Sequence, residues 1–155
     1  MDTLEVYKRQ LEVAERDFPD VVDRREILLS ESGVPLIKLR LSIIDGSIVD
    51  CFWSASGKYS YHWDRRAIDG SVYRHDNAPH AHWAHVYTFP KHFHNGSEDA
   101  RDIRESAISD DPIVAIQEFL SFDTRHKDAR VGHYRISMSL LAFACQHLLV
   151  MVRFA

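Results

Sequence analysis

Turn signals recur at near-regular intervals from residue 31 to residue 70, and the runs between them are of strand length. Glu31-Ser32-Gly33, Asp45-Gly46, Ser54–Gly57 and Asp69-Gly70 separate segments in which apolar and polar residues alternate. Such spacing predicts antiparallel hairpins rather than helices. The predicted strands are Val21–Leu29, Leu36–Ile44, Ser47–Trp53, Lys58–Asp64 and Ser71–His75. In Leu36–Ile44, Lys38, Arg40 and Ser42 fall on one face and Leu39, Leu41 and Ile43 on the other. In Lys58–Asp64, Tyr59, Tyr61 and Trp63 share a face, opposite Ser60 and His62. Asp45-Gly46 fits a two-residue type I′ turn, which needs positive φ at both positions.

Helices flank this meander. Leu4, Tyr7, Leu11, Ala14 and Phe18 recur at three- and four-residue steps, with Asp2 or Thr3 as caps and Pro19 after the end. A second helix is expected to begin at Asp110-Asp111-Pro112, with Ile113, Ile116, Phe119 and Leu120 as its stripe. The expected fold is therefore α+β: an antiparallel β-meander of about five strands, with the N-terminal helix and C-terminal helices packed on it. A domain is placed at residues 1–121, followed by a helical extension at 122–155.

The chain is 155 residues long, enough to bury a core. Its net charge of −4 argues against binding nucleic acid by bulk charge, though a local basic cleft is compatible with it. Cys51 and Cys145 are far apart and form no CxxC pair, which fits buried thiols in a reducing, cytoplasmic setting. The start, MDTLEVYKRQLE, carries charges where a signal peptide needs an apolar run. Ile136–Val152 is interrupted by Ser137, Ser139, Gln146 and His147, so a helix packed on the domain or a partner is expected rather than a membrane span. Its apolar breadth suggests homo-oligomer or partner contact through the tail.

The chemistry concentrates between Arg74 and His94. Seven of the ten histidines lie between His62 and His94: His62, His75, His80, His82, His85, His92 and His94. Imidazole is the side chain suited to moving protons at neutral pH. Between Lys58 and His94 five cations face three anions, so this stretch is locally positive within an acidic chain. The segment Asp76–Gly96 carries two prolines and no clean period, and reads as a long functional loop.

Two chemistries fit these residues. One is cleavage of RNA by histidine acid and base, with Arg74 or Lys91 against the phosphate and Trp83, Tyr87 or Phe93 stacking on bases. The other is metal binding by His80-x-His82 and His92-x-His94, since residues two apart on extended backbone face the same side. The spacing matches no strong zinc signature and includes no cysteine, so acid–base chemistry is preferred and no metal or other cofactor is expected.

Tyr61-His62-Trp63, Arg74-His75-Asp76-Asn77-Ala78-Pro79-His80 and Thr88-Phe89-Pro90-Lys91-His92-Phe93-His94 resemble, in order and spacing, the TumE family of toxin–antitoxin toxins. The resemblance spans about residues 1–121. The sequence departs from the family pattern at His75, where a tyrosine stands, and at Ala81 and Lys91, where histidines stand. The resemblance implies a toxin restrained by a cognate antitoxin protein. It carries over His80, His92 and His94, with Arg74, Asp76 and Asn77 beside them. Together with the residue chemistry, the expectation is growth inhibition by metal-independent RNA cleavage. His80 and His92 are expected as general base and acid, and His94 orients one of them. Arg74, Lys91 and Trp83 hold substrate, and Asp76 and Asn77 fix the loop through Asx contacts to backbone amides. The alternative is a non-enzymatic module that binds a metal or a partner with the same loop.

Overall fold

The computed structural model describes residues 2–29, 37–99 and 102–122. The turn expected at 31–33, Cys145 and the tail helix expected at 136–152 lie outside them. By its contacts the chain divides into Met1–Leu120 and Ser121–Ala155, and the fold described here is that of the first unit. Among the described residues no helix is long and apolar enough to cross a membrane.

The fold is α+β. Helix α1 spans Thr3–Asp17, and seven strands follow: β1 Val22–Leu29, β2 Ile37–Ile43, β3 Ile48–Trp53, β4 Tyr59–Arg65, β5 Ser71–Asp76, β6 His92–Asn95 and β7 Ile103–Glu105. Helix α2 occupies residues 112–122. The strands form one antiparallel sheet in chain order, β1 to β7. Seven strands stand where about five were expected. The two additions are short and polar: β6 is His-Phe-His-Asn and lies inside the segment expected to be loop, and β7 is Ile-Arg-Glu. Histidines at alternate positions carry no apolar signal, although here they are the buried side of the strand.

Alternation decides which side chains fill the core. Leu39 and Leu41, Val49 and Cys51, and Tyr59, Tyr61 and Trp63 are all buried and face α1 and α2. Gln10 of α1 donates to Pro112 O at 3.0 Å and lies 3.3 Å from the Tyr61 hydroxyl. The Phe119 ring of α2 lies 5.8 Å from that of Tyr61. The buried stripe of α1 is Val6, Tyr7, Gln10, Val13 and Ala14. It is shifted from the expected stripe because Gln10, polar by type, is bonded at both neighbours, while Leu4 is exposed. Asp2 makes no side-chain cap; its carbonyl accepts from Val6 N at 3.1 Å. In α2 the Asp111 carboxylate does cap, accepting from Ile113 N and Val114 N.

The Asp45-Gly46 turn also differs from expectation. Only Gly46 has positive φ, at 87°, and Gly46 N donates to Ile43 O. This is a three-residue hairpin loop: a turn through Ile44 and Asp45, then glycine in the left-handed region. Asp45 keeps negative φ because its carboxylate accepts from Ser47 N and meets the Arg65 guanidinium at 2.6 Å. Arg65 also pairs with Asp69 at 3.0 Å and lies 4.5 Å over Trp63, so this buried cation is fully accompanied.

Candidate functional site

The side of the sheet away from the helices is polar, and pairing register builds two rows across it. One row runs Phe52, Ser60, Asp76, His92, each opposite the next. The adjacent row runs Asp50, His62, Arg74, His94. Residues opposite each other on antiparallel strands bring their Cβ atoms to about 5 Å. The Arg74-x-Asp76 pair of β5 is thereby set against the His92-x-His94 pair of β6, and four polar side chains form one block.

Asp76 is the hub of that block. Its Oδ1 accepts from Ala78 N at 3.0 Å and lies 3.1 Å from His92 Nε2. Its Oδ2 lies 2.8 Å from Arg74 Nε and 3.9 Å from His94 Nε2. Arg74 Nη2 donates to His94 Nε2 at 2.8 Å. His92 Nδ1 donates to Pro90 O at 2.9 Å, which fixes its tautomer on that side. Burial holds the His94 imidazolium down at about 4, and the neighbouring Arg74 cation pushes the same way.

The loop after β5 closes over this block. Residues Ala81–Trp83 form a single 3-10 turn that drives the Trp83 ring onto the histidines. Its centroid is 4.1 Å from that of His92 and 5.1 Å from that of His94. On its other sides it meets His80 at 4.8 Å and His82 at 4.4 Å. Asn77 anchors the loop, accepting from Tyr59 N at 2.9 Å and donating to Gly57 O at 2.8 Å. Lys91 is held by Ile108 O at 2.6 Å and Asp110 at 2.9 Å.

A cleft of about 330 Å³ opens beside the block. Arg74 and Asp76 form one side, Asn77 to His80 the rim, and Phe52, Lys58, Tyr59 and Ser60 the rest. The expected site residues thus separate into two groups. Arg74, Asp76, Asn77 and His80 line the cleft. His92 and His94 lie behind Asp76 and Arg74, 1% and 2% exposed, and Trp83 is buried upon them. His82 and His85 are exposed, and His85 Nδ1 donates to His82 O at 3.1 Å. His75 points to the opposite face, where Ser106 bonds it at 2.8 Å and Phe93 stacks on it at 4.1 Å. Burial lowers its pKa to about 4.

Lys58, Ser60 and Phe52 were missed in the sequence. Counting outward from the turn signals at 54–57 and 69–70 does not find them, because the observed register pairs Trp53 with Tyr59 and Arg65 with Ser71, and both connections are longer than those signals.

No curated relative and no solved structure matches the chain. The family model described as Toxin TumE matches residues 11–127, well over half the chain, and takes in every residue of the block, the loop and the cleft. The protein belongs to the TumE toxin family.

Proposed function

We propose that this toxin stops growth by cleaving RNA in the cleft beside Asp76, and that a cognate antitoxin protein restrains it. The observation that carries the reading is the make-up of the cleft wall. Two cations, Lys58 and Arg74, and one solvent-open imidazole, His80, surround a space that Phe52 also lines. Cations serve a phosphodiester, rings serve bases, and an exposed imidazole moves a proton at neutral pH.

In this reading Arg74 and Lys58 hold the phosphate. His80 serves one proton transfer, taking that of the attacking 2′-hydroxyl or giving one to the leaving 5′-oxygen as its bond to phosphorus breaks, and water serves the other. His92 and His94 serve the reaction from behind the cleft, through Asp76 and Arg74, which they touch. Lys91, already bonded to Ile108 O and Asp110, supports the fold beneath the loop. Trp83 walls the histidines from water. Asn77 ties the rim to the β3–β4 turn.

The test is a growth assay of His80→Ala and Lys58→Ala, paired with cleavage of a structured RNA by the purified full-length chain. Both variants are expected to lose toxicity and cleavage together. A protein that binds RNA without cutting it, or a fully toxic His80→Ala, overturns the reading.

A second reading is favoured by one observation. Asp76, His92 and His94 bring three ligand-type atoms within 4.8 Å of one another, as a metal-binding module would.

A further inference from the structure

Buried polar atoms in proteins almost always find a partner, so an exception calls for an explanation. Among the described residues, His92 Nε2 is buried and has no hydrogen-bond partner. The ring cannot relieve this by changing tautomer, because Nδ1 must keep its proton to donate to Pro90 O. Nε2 therefore stands 3.1 Å from the Asp76 carboxylate with no hydrogen bond between them. His94 presents the same atom, Nε2, as an acceptor to Arg74. Two imidazole nitrogens and a carboxylate oxygen thus lie within 4.8 Å of one another, all from side chains at most 8% exposed.

We infer that Asp76, His92 and His94 bind a divalent transition-metal cation at the floor of the cleft, in exchange for the guanidinium of Arg74. Imidazole and carboxylate are the donor set that zinc and its first-row neighbours take, and three protein ligands leave coordination positions for water. Asp76 lines the cleft, so those positions open toward it.

Arg74 is the cation that now occupies part of this role, and it fills it incompletely. It reaches His94 with a good hydrogen bond, but its Nε, 2.8 Å from Asp76 Oδ2, is off the hydrogen-bonding axis, and no donor reaches His92 Nε2. Arg74 has somewhere else to go. Its side chain is a quarter exposed, it borders the cleft, and Glu98 Oε1 lies 3.9 Å from its Nη1. A turn toward Glu98 or toward a bound phosphate frees the three ligands together. The sequence set metal binding by the HxH pairs second, because their spacing matches no strong zinc signature and includes no cysteine, and it pointed to no third ligand. That ligand is Asp76, supplied across the β5–β6 register.

This inference stands apart from RNA cleavage and is tested by binding alone. The full-length protein, purified without a histidine tag and stripped by chelator, is titrated with Co²⁺ and followed by visible absorption and elemental analysis. About one Co²⁺ per chain is expected, displaced by Zn²⁺. His92→Ala should weaken binding by more than about 10-fold, the low end of what even outer-shell changes cost. Arg74→Ala keeps all three ligands and removes the competing cation, so it should bind Co²⁺ more tightly than wild type. The double variant His82→Ala/His85→Ala should bind as wild type does. The inference is overturned if neither wild type nor Arg74→Ala takes up Co²⁺. It is equally overturned if uptake survives His92→Ala or is lost with the exposed His82 and His85.

Discussion

Two charge clusters on the polar face of the sheet are finished to different degrees. On β2 and β3, Asp50 receives both nitrogens of the Arg40 fork at 2.7 Å and Lys38 Nζ at 2.6 Å. Every charge there has a partner with good geometry. On β5 and β6, Arg74, Asp76, His92 and His94 crowd together, yet Arg74 Nε, His92 Nε2 and His94 Nδ1 remain without hydrogen bonds. Both clusters rest on the same alternation and the same hydrogen-bonded ladder. The difference is what a protein leaves undone: a completed ion pair fastens strands, whereas incomplete valence at a buried site leaves room for something outside the chain.

That contrast is open to attack at its strongest point first. His80→Ala, at the open end, should lower RNA cleavage by about 10²–10⁴-fold, the usual worth of a proton-transfer group. The thermal midpoint should stay close to wild type, because His80 is exposed. A large fall in stability with little loss of activity would erase the distinction. Asp50→Ala, at the finished end, should do the reverse. It strands Arg40 and Lys38, costs about 1–3 kcal/mol in urea unfolding, and leaves toxicity intact.

Acid sharpens the same point. Burial alone raises the Asp50 carboxyl, but its bonds to Arg40 and Lys38 outweigh that and hold it below the ordinary carboxylate range. The unfolded chain therefore takes up this proton first. The stabilisation is complete above the unfolded value of about 3.9 and is lost as pH falls through the folded one. Wild type and Asp50→Asn should accordingly differ in urea midpoint at pH 7 and converge toward pH 3. The smallest effect concerns Cys51, which is buried with its thiol pushed well above the usual range by desolvation. Peptide-resolved mass spectrometry should find it unalkylated by iodoacetamide in the native protein and modified once urea unfolds the sheet.

Legibility in the sequence followed side-chain chemistry. β4 was plain because Tyr59, Tyr61 and Trp63 are bulky, apolar and two apart, and all three are buried. β6 was hidden because its buried positions are His92 and His94, which read as polar. The stripe of α1 was misplaced because Gln10, not Leu11, is the residue held against Tyr61 and Pro112. At the site, the RHDNAPH motif pointed to Arg74, Asp76, Asn77 and His80, and all four border the cleft. Phe52 and Ser60 come from neighbouring strands and Lys58 from the connection between them, and none carries a motif. That His92 is shut behind Trp83 depends on how the loop folds back, which no local pattern in residues 77–91 encodes.

Each strand of the sheet pairs only with its predecessor and its successor along the chain. Such pairing closes short loops and needs no distant segment to arrive first, so hairpins can be laid down in the order in which the chain is made. The helix and first four strands precede any residue of the Asp76 block. Its last two members, His92 and His94, enter with the sixth strand. Synthesis therefore delivers a growing, partly paired sheet well before it delivers His92 and His94. That schedule separates the birth of the scaffold from the completion of the polar block built on it.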